Sequence, residues 1–94
     1  MNPSATYYNN NVDALVHTGP CELIGVIVTD LDGSTVNIHD CVASPDASNR
    51  VMQVYTTSTN QTVSIMLTAP VTLQNGIYVD VGTAVGASYT IIYR

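Results

Sequence analysis

In VIVTDLDGST, Val26 to Thr35, a run of β-branched residues meets Asp30, Leu31, Asp32, Gly33 and Ser34. The run can be the buried strand of a parallel, helix-covered sheet that carries two aspartates to an active site. It can equally be one arm of an antiparallel pair. The residues that follow favour the second reading. Thr35 to Asp40 alternates, with Val36 and Ile38 on one face and Thr35, Asn37 and His39 on the other, which is the period of a half-buried strand. Asp32-Gly33 then reads as a tight turn joining two antiparallel strands, because both central residues of a type I′ turn need positive φ.

The same vocabulary runs through all 94 residues. Thirteen Val, seven Ile and twelve Thr stand against no Phe, Trp or Lys, and stiff β-branched side chains suit a pleated surface better than a helix. From Val12 onward, apolar segments alternate with turn signals at the spacing of a sandwich or barrel. The segments are Val12 to His17, Cys21 to Asp30, Thr35 to Asp40, Arg50 to Thr56, Thr62 to Thr68, Val71 to Gln74, Gly76 to Val81 and Ala87 to Arg94. The turn signals include Gly19-Pro20, Ser44-Pro45-Asp46, Ala69-Pro70, Asn75-Gly76 and Gly82. The prediction is an all-β chain, an antiparallel domain of seven or eight strands over residues 12–94. Val63, Ile65 and Leu67, and Ile77, Val79 and Val81, are predicted to face the core, with Tyr78 and Asp80 outward. Residues 1–11 show no period and read as a flexible N-terminal arm, which Tyr7 and Tyr8 would anchor on a neighbour.

Charge narrows the partners. Seven acids against Arg50 and Arg94 give a formal net charge of −5. Nucleic acid and anionic membrane surfaces both demand clustered cations, so neither is an expected partner. No apolar run approaches the roughly 20 residues needed to span a bilayer. Cys21 and Cys41 are too few for a disulfide framework, and the opening MNPSATYYNNN lacks a basic region followed by an apolar one. Two free thiols made in a reducing cytoplasm are expected. A chain this short buries only about two thirds of its unfolded surface, so a partner would add needed stability.

Asp30-Leu31-Asp32 resembles the first motif of the haloacid dehalogenase phosphohydrolases. That resemblance implies a nucleophilic aspartate on a parallel sheet and a Lys or Arg to hold phosphate. The chain has no Lys and no crossover helix in its pattern, so no enzyme activity is predicted. A calcium loop built on Asp30, Asp32 and Ser34 would lack a third acid and a closing glutamate. His39 and Cys41 fall on one face of a strand while Asp40 points away, and no second pair stands at ligand spacing. Neither a glycine-flanked serine elbow nor a Cys and His signature is present. No metal and no cofactor are expected.

Cys21 to Val28 and Ile91 to Tyr93 are apolar on both faces, the pattern of strands covered on both sides. Leu23, Ile24, Ile91, Ile92 and Tyr93, with Tyr7 and Tyr8 of the arm, are therefore the candidate interface residues.

NGIYVDVGTAVGASYTIIYR, Asn75 to Arg94, resembles the endings of small all-β virion proteins of tailed bacteriophages. These close on a glycine-initiated strand with a valine-aspartate step, a small-residue turn and an Ile/Val-Tyr-Arg tail. Gly19 to Asp40 is similar too, with its Gly-x-x-x-Leu lead-in and TVNIHD strand; His39 stands where an aromatic is more usual. The resemblance spans roughly the last three quarters of the chain and rests on strand rhythm rather than chemistry. It implies a β-sandwich of jelly-roll kind without enzyme activity. It further implies a capsid decoration or cement protein, bound in many copies to the major capsid protein or another virion protein. A homotrimer is the expected assembly, on a virion surface after synthesis in the host cytoplasm. The competing expectation is a carbohydrate- or receptor-binding module of a tail fibre or secreted protein, with Tyr55, Tyr78 or Tyr89 stacking on sugar rings.

Overall fold

The computed structural model describes residues 5–30, 33–81 and 87–94. Eight strands fill them: β1 (Thr6–Asn10), β2 (Ala14–Thr18), β3 (Cys21–Thr29), β4 (Thr35–His39), β5 (Arg50–Tyr55), β6 (Thr62–Leu73), β7 (Gly76–Asp80) and β8 (Ser88–Tyr93). They form two sheets of four, sheet A in the order β1-β8-β3-β6 and sheet B in the order β2-β7-β4-β5. Every ladder is antiparallel. The chain folds back about the β4–β5 connection, so that the first strand pairs with the eighth, the second with the seventh, the third with the sixth and the fourth with the fifth.

Alternation places the core between the sheets. Leu23, Val26 and Val28 of β3, Tyr89 and Ile91 of β8, and Leu73 of β6 meet Val36 and Ile38 of β4, Val54 of β5, and Ile77 and Val79 of β7 in one buried cluster. Val63, Ile65 and Leu67 pack against its edge, half-buried. Each stripe follows the side-chain period of two, except that β3 skips a residue between Leu23 and Val26, where its register shifts.

Strand connectivity departs from the sequence reading. β3 pairs with β6 and β8, never with β4, so the strands on either side of Asp32-Gly33 belong to different sheets and form no hairpin. The same holds for Asn75-Gly76, between β6 of sheet A and β7 of sheet B, and for Gly19-Pro20, between β2 and β3. Among the strands of the described residues, β4 and β5 are the only consecutive pair that share a sheet. Positive φ turns the chain, as at Gly19 (96°), Gly33 (89°) and Gly76 (150°), but it does not dictate which strand the turned chain then meets. Asp32 and Gly82, read as turn residues, lie outside the described residues.

Two further corrections concern strand identity. Thr6–Asn10, expected within the arm, pairs with β8 from Thr6↔Tyr93 to Asn10↔Tyr89. Tyr8 turns inward and meets the Tyr89 ring at a centroid distance of 6.5 Å, so the segment is anchored on its own chain. The segments Thr62 to Thr68 and Val71 to Gln74, expected as separate strands, are one edge strand interrupted by a bulge. Leu23 faces Val71 and Gly25 faces Met66, so residues 67–70 stand against Ile24 alone. Pro70 has no N–H for the ladder, and an edge strand tolerates that loss by bulging.

One end of the sandwich is knitted by a single carboxylate. Asp40, just after β4, accepts the backbone N–H groups of Gln74 (3.1 Å), Asn75 (2.8 Å) and Gly76 (3.3 Å). Asn75 in turn accepts the N–H of Gly19 through its carbonyl at 2.9 Å. Loops from both sheets are thereby held together at the crossing. At the opposite end, Asp13 accepts the N–H of Val81 (2.8 Å) and the buried Tyr89 hydroxyl donates to the Val12 carbonyl (2.7 Å). Replacing Tyr89 by Phe is expected to cost about 1 kcal/mol, the net worth of one neutral hydrogen bond plus an orphaned acceptor at a partly wetted site. Urea titration of the two chains checks it.

Candidate functional site

The candidate interface residues divide sharply. Leu23 and Ile91 belong to the chain's own core, and Ile92 is 4% exposed. These three are corrected: strands apolar on both faces are covered here by the chain itself. Register places Ile92 on the outer face of sheet A between Tyr7 of β1 and Gly25 of β3, and Met66 folds over Gly25, where a Cβ would come within 2.6 Å of its sulfur. Ile24 sits half-buried in the bulge, and Tyr8 and Tyr93 pack on the core, with the Tyr93 ring 5.4 Å from that of His17. Only Tyr7, 65% exposed, remains fully open to a neighbour.

The outer face of sheet A can be read row by row from the register. Tyr7, Ile92, Gly25 and Met66 form one row across the four strands; Asn9, Thr90, Ile27 and Ser64 form the next; Ser88, Thr29 and Thr62 form a third. No residue of these rows is charged. Beyond them, at the Cys21 end, Glu22 and Arg94 pair at 3.0 Å. Within the second and third rows a groove of about 420 Å³ opens, lined by Asn9, Asn10, Asn11, Ile27, Thr29 and Ser88, together with Tyr89 and Thr90. Its polar groups fix one another. The Thr90 hydroxyl donates to the Asn9 amide oxygen, Thr29 and Thr62 hydroxyls meet at 3.2 Å, and the Asn10 amide donates to the Tyr8 hydroxyl at 2.8 Å.

The outer face of sheet B is different. Leu15 (42% exposed) pairs with the half-buried Tyr78, and Val51 (36%) and Tyr55 (60%) stand on edge strand β5. His39, opposite Tyr78 and Arg50 in register, is buried, although alternation turns it to solvent. It does point away from the core, but the 40–49 loop folds back over it, and its Nδ1 lies 2.8 Å from the Asn49 side-chain oxygen. Tyr89, expected as a sugar platform, is buried, whereas Tyr55 and Tyr78 do reach the outer face.

The aspartate motif builds no site among the described residues. Asp32 lies outside them, Asp30 is buried with its N–H donating to the Gln61 carbonyl at 2.9 Å, and Ser34 bonds to Thr56. No three His, Cys, Asp or Glu side chains among the described residues come together as metal ligands. No helix there is long and apolar enough to cross a membrane.

Cys21 and Cys41 are free thiols. Burial pushes both above the ordinary value of 9.0, and the Asp40 carboxylate adds to the rise at each. Burial likewise pushes the Tyr89 hydroxyl above its ordinary 10.0. A proton held more tightly in the folded chain stabilises fully below the unfolded-state value and is lost as pH rises through the folded one. Stability is therefore expected to be level through neutral pH and to fall progressively above about pH 9. Denaturant midpoints taken from pH 7 upward test this, and a midpoint flat to pH 11 would contradict it.

What sequence reasoning missed was the groove, because Asn9 to Asn11 carries no period when read alone. The outward face of β5 was recoverable: Met52 and Val54 turn inward, so Val51, Gln53 and Tyr55 must turn out. Compared with protein-family models, with curated proteins and with solved structures, the chain matches none.

Proposed function

We propose that this chain is a non-enzymatic virion structural protein, a jelly-roll unit that serves as a capsid decoration or cement protein by binding across neighbouring shell subunits. The pairing of first with eighth, second with seventh, third with sixth and fourth with fifth strand supports the jelly roll, an architecture shared by viral capsid and lectin domains. The observation that carries the reading is the outer face of sheet B, where Leu15 stands exposed beside Tyr78 and Val51 and Tyr55 stand exposed on edge strand β5. Aliphatic and aromatic side chains on a single sheet face make an anchor patch for a protein partner. Removing that surface from water contributes about 25 cal/mol per Å² of apolar area, and many copies on one shell resist internal pressure together. The partner is the major capsid protein, and a homotrimer on threefold positions satisfies closed symmetry.

The test joins two measurements. The mass of the purified chain in solution is expected to be that of a trimer. Shells of the major capsid protein are expected to retain it, and Tyr55→Asp is expected to weaken retention by about tenfold or more with the melting temperature unchanged. A stable monomer that no shell retains would end the proposal.

A further inference from the structure

We propose that the groove on the outer face of sheet A binds a neutral saccharide. This goes beyond shell binding and uses the opposite face of the sandwich. At about 420 Å³ the groove falls within the range of small-molecule sites, roughly 300–1,000 Å³. Its lining is amide and hydroxyl, from Asn9, Asn11, Thr29, Ser88 and Thr90, with the Ile27 side chain on the same face.

Chemistry selects the ligand class. A phosphate, sulfate or carboxylate would bury its charge among groups that offer no cation, since no lining residue is charged. An extended peptide docks by adding to a strand edge, but the groove opens over the face of β1, β8 and β3, and the backbones of β8 and β3 beneath it are paired on both sides. A neutral saccharide presents hydroxyls that both donate and accept, together with an apolar C–H face. Asparagine amides and Thr and Ser hydroxyls match the first, and Ile27 matches the second.

The groove is also organised in advance. The Thr90 hydroxyl holds the Asn9 amide oxygen, which leaves the Asn9 NH₂ as donor. Thr62 orients the Thr29 hydroxyl, and the Asn10 side-chain oxygen accepts the Asn11 N–H at 2.8 Å. Fixing these groups beforehand reduces the ordering cost of binding. The run Asn9-Asn10-Asn11, featureless as a sequence, thereby acquires a role.

The full chain would be applied to immobilised neutral glycans ending in glucose, galactose or N-acetylglucosamine, beside sialylated and sulfated glycans at equal density. Retention on one or more neutral glycans is expected, with none on charged ones. Asn9→Ala and Thr29→Val are each expected to weaken it by about tenfold, the worth of one hydrogen bond, without lowering the melting temperature. Tyr55→Asp on sheet B is expected to leave glycan retention unchanged, and Asn9→Ala to leave shell retention unchanged. Neutral-glycan affinity no tighter than about 1 mM would overturn the assignment. So would binding that survives both groove substitutions. Loss of shell retention in Asn9→Ala would overturn it as well and give the groove to the shell contact, while the virion role would stand.

Discussion

Asp40→Ala is expected to lower the free energy of unfolding by about 2–4 kcal/mol, a large share of the roughly 5–15 kcal/mol available to a domain of this kind. The carboxylate accepts three backbone N–H groups from the β6–β7 crossing, and hydrogen bonds to a charged acceptor are the stronger class. Alanine leaves Gln74 and Asn75 exposed enough to bond water, but Gly76 is buried and its N–H is stranded. Asp40→Asn keeps one acceptor oxygen and loses the charge, so about half the effect is expected. Denaturant unfolding of the two variants gives the comparison. Equal and small losses, under about 0.5 kcal/mol, would mean that the crossing is held by the strands it joins and not by its clasp.

The period-two alternation was legible because it depends only on which face of a strand is dry. Val36 and Ile38, and Ile77 and Val79, are buried as read. Partner choice was not legible. Asp32-Gly33, Asn75-Gly76 and Gly19-Pro20 each carry the chemistry of a tight turn, and the same chemistry serves a connection that arches from one sheet to the other. The information that separates the two is non-local. At Asn75-Gly76 it is supplied by Asp40, more than thirty residues earlier in the chain.

Exposure failed the reading for a related reason. A strand apolar on both faces needs cover on both, but the cover can come from within. At Ile92 it comes from the flanking row of Tyr7, Gly25 and Met66; at His39, from the folded-back 40–49 loop. β1 was overlooked because TYYNN offers one inward aromatic and no repeat, and its pairing is decided by β8. The patch on sheet B and the groove on sheet A are both products of register, assembled from strands distant in sequence. Asn9, Thr90 and Ile27 become neighbours only once β1, β8 and β3 lie side by side.

Gly76→Ala is expected to be more damaging than any side-chain truncation at this end, at about 3–5 kcal/mol. A Cβ there would lie 2.3 Å from the His17 carbonyl oxygen, a backbone atom of β2 that cannot swing aside as a flexible side chain could. The φ of 150° also falls where residues with a Cβ are strained. Relief requires β2 to retreat from β7, which would break the Thr18↔Gly76 and His17↔Ile77 pairs. Loss is therefore expected to appear first as faster amide exchange in β2, and then as a lowered denaturation midpoint. Gly25→Ala provides the contrast. The nearest atom to its added Cβ is the Met66 sulfur at 2.6 Å, the end of a flexible side chain that can move, with the Ile65 carbonyl next at 2.9 Å. A smaller loss, about 1–2 kcal/mol, is expected there. If Gly25→Ala proves the costlier change, the close approach at β2 is not what demands glycine at position 76.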